Sequence, residues 1–113
     1  MKILIALGAK EHHKEQLQRN AADAELLFVP AEKVQKEDLA DVDAIIGNVP
    51  TELLPAAKKL RWLQLNTAGA DAYCKAGVLK EDVLLTNATG AYGLALSEHL
   101  LAQLLAMMKK LYP

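Results

Sequence analysis

Short apolar runs alternate with polar stretches along most of this chain, and each run has the length of a strand rather than of a helix. Ile3 to Leu7 is continuously apolar, the pattern of a strand covered on both faces, and Gly8-Ala9 ends it with a turn. Glu11 to Asn20 is polar with Leu17 as its main anchor, which predicts a short surface helix. Glu25 to Val29 predicts a second strand, stopped by Pro30. A polar segment from Ala31 to Asp41, helical around Lys36 to Ala40, leads to a third strand at Asp43 to Ile46 and the turn Gly47-Asn48-Val49-Pro50. Thr51 is placed to cap a helix running to Leu60, with Pro55 a blemish in its early turns. Trp62 to Leu65 predicts a fourth strand. Asp71 then opens a short helix, an irregular segment runs through Gly77, and Val83 to Thr86 predicts the fifth strand.

Five strands alternating with helical segments imply an open, parallel α/β sheet, and the flavodoxin-like strand order 2-1-3-4-5 is the expected arrangement. Ligands in such a sheet sit beyond the carboxyl ends of the strands, where the strand order reverses. The turns Gly8-Ala9, Gly47-Asn48-Val49 and Thr67-Ala68-Gly69 are therefore expected to frame one space. Thr67 to Ala70 carry little side-chain bulk, so their N–H groups can approach a carboxylate or phosphate closely, and Asp71 stands where a following helix would take its N-cap. The same four residues also suit a plain tight connection. Asn48 can offer its side-chain amide to a ligand or use it on nearby backbone.

From Tyr92 to Tyr112 the periodicity is helical. At ~100° per residue, Leu94, Leu96, Ser97, Leu100, Leu101, Leu104, Leu105, Met107, Met108 and Leu111 fall on one half of the wheel. An apolar arc that wide exceeds what packing on one sheet requires. It implies a further domain or a second copy, unless this is an ordinary core helix whose methionines fill gaps. The chain stops at Tyr112-Pro113 without a polar tail, which reads as a truncation point within a longer protein.

Composition narrows the choice of function. A length of 113 residues with 52% hydrophobic and 24% charged residues suits one soluble domain and no second one. The net charge of -1 supplies no field for nucleic acid, and no charged block suggests a membrane surface. Cys74 is the single cysteine, so no internal disulfide can form and a reducing, cytoplasmic location is expected. The apolar opening is too short for a signal peptide.

Several chemistries lack their residues. Gly8-Ala9-Lys10-Glu11-His12-His13 follows the first strand where a dinucleotide fingerprint needs Gly-x-Gly-x-x-Gly, and Gly90-Ala91-Tyr92-Gly93 has the wrong spacing. No cofactor is expected to bind this chain. A Walker-type phosphate loop is absent, and Gly8 and Gly47 stand where a phospho-acceptor domain would carry acidic residues. His12 and His13, adjacent on a polar helix, are expected to point apart as solvated side chains rather than to bind metal. His99 falls on the polar side of the last helix with no nucleophile beside it in the pattern.

Two segments, Leu60-Arg61-Trp62-Leu63-Gln64-Leu65-Asn66-Thr67-Ala68-Gly69-Ala70-Asp71 and Leu85-Thr86-Asn87-Ala88-Thr89-Gly90-Ala91-Tyr92-Gly93-Leu94-Ala95-Leu96-Ser97-Glu98-His99, resemble the D-isomer-specific 2-hydroxyacid dehydrogenases. The resemblance covers essentially the whole chain. It implies that family's amino-terminal substrate-binding domain, ending with the helix that crosses toward the nucleotide-binding domain. Backbone amides of Ala68 and Gly69, and with them Ala70, would hold the carboxylate of a 2-oxo or 2-hydroxy acid. The Gly47-Asn48-Val49 loop would line the same pocket, and Tyr92, where many members carry Asn, would be a pocket residue. The family's catalytic Arg, His and Glu, and its NAD or NADP site, belong to the later domain and have no counterpart in these residues.

On that reading the chain is a substrate-binding fragment that binds small carboxylates weakly and transfers no hydride alone. The alternative is a self-associating module, a homodimer through the helix 92–112, whose sharpest version exchanges that helix between copies with Gly90 and Gly93 as hinge.

Overall fold

The structure, a computed structural model, describes residues 1–111. Its five strands are β1 (Lys2–Ile5), β2 (Glu25–Phe28), β3 (Ala44–Ile46), β4 (Trp62–Gln64) and β5 (Leu84–Thr86), and all pair in parallel in the order β2-β1-β3-β4-β5. The expected flavodoxin-like arrangement is therefore present. The strands are shorter than the apolar runs that announced them, because Ala6 and Leu65 continue inward as ladder partners without remaining in regular strand.

Side-chain alternation divides the sheet into two unlike faces. Leu4, Ile45 and Leu63 are aligned across neighbouring strands and fully buried, with Leu27 and Leu85 extending the row to both edges. Over them pack Leu39 of helix α2 (Lys36–Leu39), Val49, Leu54, Leu60 and Tyr73. Helix α1 (Glu11–Asn20) lies on the opposite face, where the Lys14 ammonium stands 5.5 Å from the centre of the Phe28 ring. That second face is open toward β5: Trp62 and Leu84 are exposed there. Trp62 Nε1 donates to Thr86 Oγ1 at 2.8 Å, and Thr86 Oγ1 donates to Gln64 Oε1 at 2.6 Å, so the open side is stitched by side-chain bonds.

Three helical expectations change. The segment from Thr51 is a 3-10 helix over Thr51–Ala56, not an α-helix to Leu60. Pro55 has no N–H to return to the carbonyl of Thr51, so an α-helical ladder cannot start, and Pro50 rather than Thr51 takes the cap position. Asp71 likewise lies inside a one-turn 3-10 helix, Asp71–Tyr73, capped by Ala70 without any side-chain bond. The His12 and His13 rings do not point apart; their centres are 4.0 Å from each other, because His13 turns back to accept the Lys10 N–H through Nδ1 at 3.3 Å.

The last helix, α3, spans Gly93–Met108 and ends in a turn in which Lys110 takes a positive φ of 55°. Tyr112 and Pro113, which the sequence reading included, lie outside the described residues. None of the helix is buried. Its leucines and methionines are exposed from 48% at Leu105 to 74% at Leu94, so α3 is not the ordinary core helix that one expectation held. Among the described residues no helix is long and apolar enough to cross a membrane.

Candidate functional site

The strand order reverses between β1 and β3, and the turns beyond their carboxyl ends meet there. Gly47 brings them together. Its φ of 125° is open to glycine and strained for other residues, and a Cβ at this position would lie 2.7 Å from the Ala6 carbonyl oxygen. The Gly47 N–H reaches the Gln64 carbonyl at 2.8 Å, joining the β3 turn to β4.

Asn48 continues that junction. It donates its backbone N–H to Asn66 Oδ1 at 3.1 Å and accepts the Asn66 N–H on its own Oδ1 at 2.9 Å, while its Nδ2 donates to Thr67 Oγ1 at 3.0 Å. Both ends of its side-chain amide are thus engaged within the fold. Thr67 passes the chain on by donating its hydroxyl to the Gly69 carbonyl at 2.9 Å, which curls the Thr67-Ala68-Gly69 turn. Beneath, the Tyr73 hydroxyl donates to the Val49 carbonyl at 2.8 Å. Burial, and secondarily the negative charge of Glu52, raise the Tyr73 pKa above its ordinary value.

The turn after β5 grips the same segment. Asn87 Nδ2 donates to the Ala68 carbonyl at 2.8 Å, the Ala88 N–H donates to the Thr67 carbonyl at 2.9 Å, and the Ala68 N–H donates to the Tyr92 hydroxyl at 2.9 Å. Ala68 is therefore held on both sides. The next two amides, those of Gly69 and Ala70, have no acceptor among the described residues, and the space beside Gly69 is open. Two consecutive free N–H groups on a small-residue turn can take an anion.

Ala68, Gly69, Ala70, Asn48 and Tyr92 thus gather around one turn at the carboxyl end of the sheet, linked by bonds that the sequence did not specify. Asn66 and Asn87, which hold this arrangement, were not singled out from the sequence. Their signal was an asparagine directly past a strand end, a place where side-chain amides commonly satisfy backbone groups. Gly8 and Ala9 make no hydrogen bond to the other turns. No group of three or more His, Cys, Asp or Glu is placed to hold a metal among the described residues. The first turn does not fit a nicotinamide dinucleotide: one glycine precedes α1, and Glu11 sits in the helix turn where a pyrophosphate would lie.

The architecture defines an open parallel α/β domain with a backbone-lined turn at the carboxyl end of β4. No family model matches the sequence, and no curated protein is significantly similar to it. Among solved structures, the fold is similar to a D-isomer specific 2-hydroxyacid dehydrogenase family protein from Aeromonas salmonicida subsp. salmonicida, with a TM-score of 0.78 and 23% identity over 97% of this chain. It is also similar to phosphoglycerate dehydrogenase from Lactobacillus plantarum, with a TM-score of 0.61 and 27% identity over 96% of this chain. The chain spans 36% of the length of each. The resemblance drawn from the sequence motifs is met by the structural neighbours.

Proposed function

We propose that this chain is the substrate-binding domain of an NAD(P)-dependent D-2-hydroxyacid dehydrogenase, which holds the carboxylate of a 2-oxo or 2-hydroxy acid on the Thr67–Ala70 turn. The observation that carries the reading is the pair of unpartnered amides at Gly69 and Ala70, on the turn after β4 that is bonded to the β3 turn, in a sheet similar to dehydrogenase structures. Two N–H donors suit an acceptor-only group such as a carboxylate. The acid–base residues and cofactor of the reaction lie outside these 113 residues on this reading, so the chain alone binds weakly and reduces nothing. An exposed, unpaired Cys74 accords with a cytoplasmic setting. The test is titration of the labelled chain with glyoxylate: saturable amide shifts at Gly69 and Ala70 are expected, and their absence overturns the reading. NADH-dependent reduction of glyoxylate by the pure chain would overturn the claim of inactivity.

A second reading, self-association, is supported by the exposure of α3 on all sides. A 16-residue helix is about 24 Å long, and covering half a dozen of its leucines would stabilise by on the order of 5–10 kcal/mol before association costs. Glu98 and Lys109 flank the apolar arc on the same shoulder. In an antiparallel pairing of two copies each Glu98 meets the other copy's Lys109, so charge favours that alignment. Light scattering decides it: a dimer abolished by Leu101→Glu supports the reading, and a monomer at high concentration removes it.

A further inference from the structure

We propose that the open face of the sheet over β3, β4 and β5 is the seat of α3 from a second copy of this chain, so that two copies cover each other's exposed strands. The proposal rests on the self-association reading above and deepens it by naming the surface on which the helix lies. It is independent of the carboxylate-binding reading.

The face suits an apolar cover. Ile3, Ala44, Trp62 and Leu84 stand in one row across β1, β3, β4 and β5, and a parallel sheet is ordinarily covered on both sides. Here the β5 side is bare: Trp62 is 36% and Leu84 61% exposed, and a groove of about 450 Å³ opens along Ala44, Trp62, Leu84 and Met1. The polar side chains beside this row satisfy one another. Trp62 Nε1 donates to Thr86 Oγ1, the Thr86 hydroxyl to Gln64 Oε1, and Gln64 Nε2 to the Leu65 carbonyl. The indole is thereby tethered, and its one polar atom needs no outside partner.

The same chain carries an apolar helix without a cover. No residue of α3 is buried, and its apolar arc is wide enough to face a second α3 along one edge and a sheet along the other. It projects from its own domain: the radius of gyration is 17.7 Å, against about 13 Å for a compact chain of this size. The bonds from the Ala68 N–H to Tyr92 Oη and from the Ala88 N–H to the Thr67 carbonyl, each 2.9 Å, fix the start of α3 at the carboxyl end of the sheet. Folding back onto its own strands would strain that brace. Each chain thus presents one uncovered helix and one uncovered strand face, and a two-fold pair matches them in equal number. Two contacts of about 24 Å by about 10 Å, counted on both partners, hide on the order of 1,000 Å², the extent a specific interface needs.

Trp62 is the sole tryptophan, so its emission reports this face. The experiment follows that emission, together with mass by light scattering, along one dilution series of the chain. Emission is expected to move to shorter wavelength in step with the appearance of dimer. Leu84→Glu, at a position exposed in the single chain, is expected to weaken dimerisation at least about tenfold, with unchanged amide shifts in β1 and β3 showing that the variant is folded. A dimer that forms with no change in Trp62 emission, or a Leu84→Glu dimer as tight as wild type, overturns the sheet face as the seat and leaves self-association through α3 standing. A monomer at high concentration overturns both, and short-wavelength emission from that monomer would assign the face to the chain's own α3.

Discussion

Asn48 and Asn66 bind each other twice, each donating its backbone N–H to the other's side-chain carbonyl, at 3.1 and 2.9 Å. The two turns at the switch point are thereby one unit, although 18 residues separate the partners. Replacing Asn48 by Ala leaves the Asn66 amide and Thr67 hydroxyl without these partners and is expected to lower stability by about 1–2 kcal/mol. Asn48→Asp keeps the acceptor and should cost less. Asn66→Ala removes the other bond of the pair, the one accepted by Asn66 Oδ1. In denaturant titrations the double change Asn48→Ala/Asn66→Ala should cost less than the sum of the single ones, because losing either bond frees the two turns and weakens the bond that remains.

Gly47→Ala should be among the most damaging single changes. The added Cβ would lie 2.7 Å from the Ala6 oxygen, and backbone rather than a flexible side chain is what it meets. With φ at 125° added to that overlap, a loss of about 2–4 kcal/mol is expected. A denaturation midpoint unchanged from wild type would contradict the geometry described at this turn.

Leu63 and Leu101 should respond in opposite ways to truncation. Leu63 is fully buried on β4, beside the central strand, and Leu63→Ala is expected to cost about 2–5 kcal/mol. Leu101 is 58% exposed, so Leu101→Ala should leave the stability of the separate chain within about 0.5 kcal/mol. If copies associate through α3, the same change appears instead as a weaker dependence of melting temperature on protein concentration.

Tyr73 links stability to alkaline pH. Its pKa is raised in the folded chain, so the folded state holds the phenol proton longer than the unfolded chain does. The stabilisation is therefore complete below the unfolded tyrosine pKa of about 10 and is lost as pH climbs from there through the folded value. Tyr73→Phe removes the bond to the Val49 carbonyl, with an expected cost of about 1 kcal/mol at neutral pH, and flattens the fall in stability above pH ~10. Chemical denaturation at neutral and alkaline pH measures both effects.

The strand positions, the parallel class and the strand order were legible in the sequence because continuous apolar runs such as Ile3 to Leu7 and Trp62 to Leu65 report burial on a sheet directly. Small residues at Thr67 to Ala70 likewise marked where backbone could meet a ligand, since lack of bulk is a local property. The segment from Thr51 departs from its expected α-helix because a single backbone group decides the outcome: Pro55 lacks the N–H that the ladder needs. What only the tertiary structure decided is how the candidate residues are used. Whether Ala68 offers its amide or surrenders it to Tyr92 depends on a partner 24 residues away, and whether α3 is covered depends on what else is within reach. Hydrogen bonds between loops and the burial of a helix depend on which surfaces meet in space, and residue spacing along the chain does not encode that.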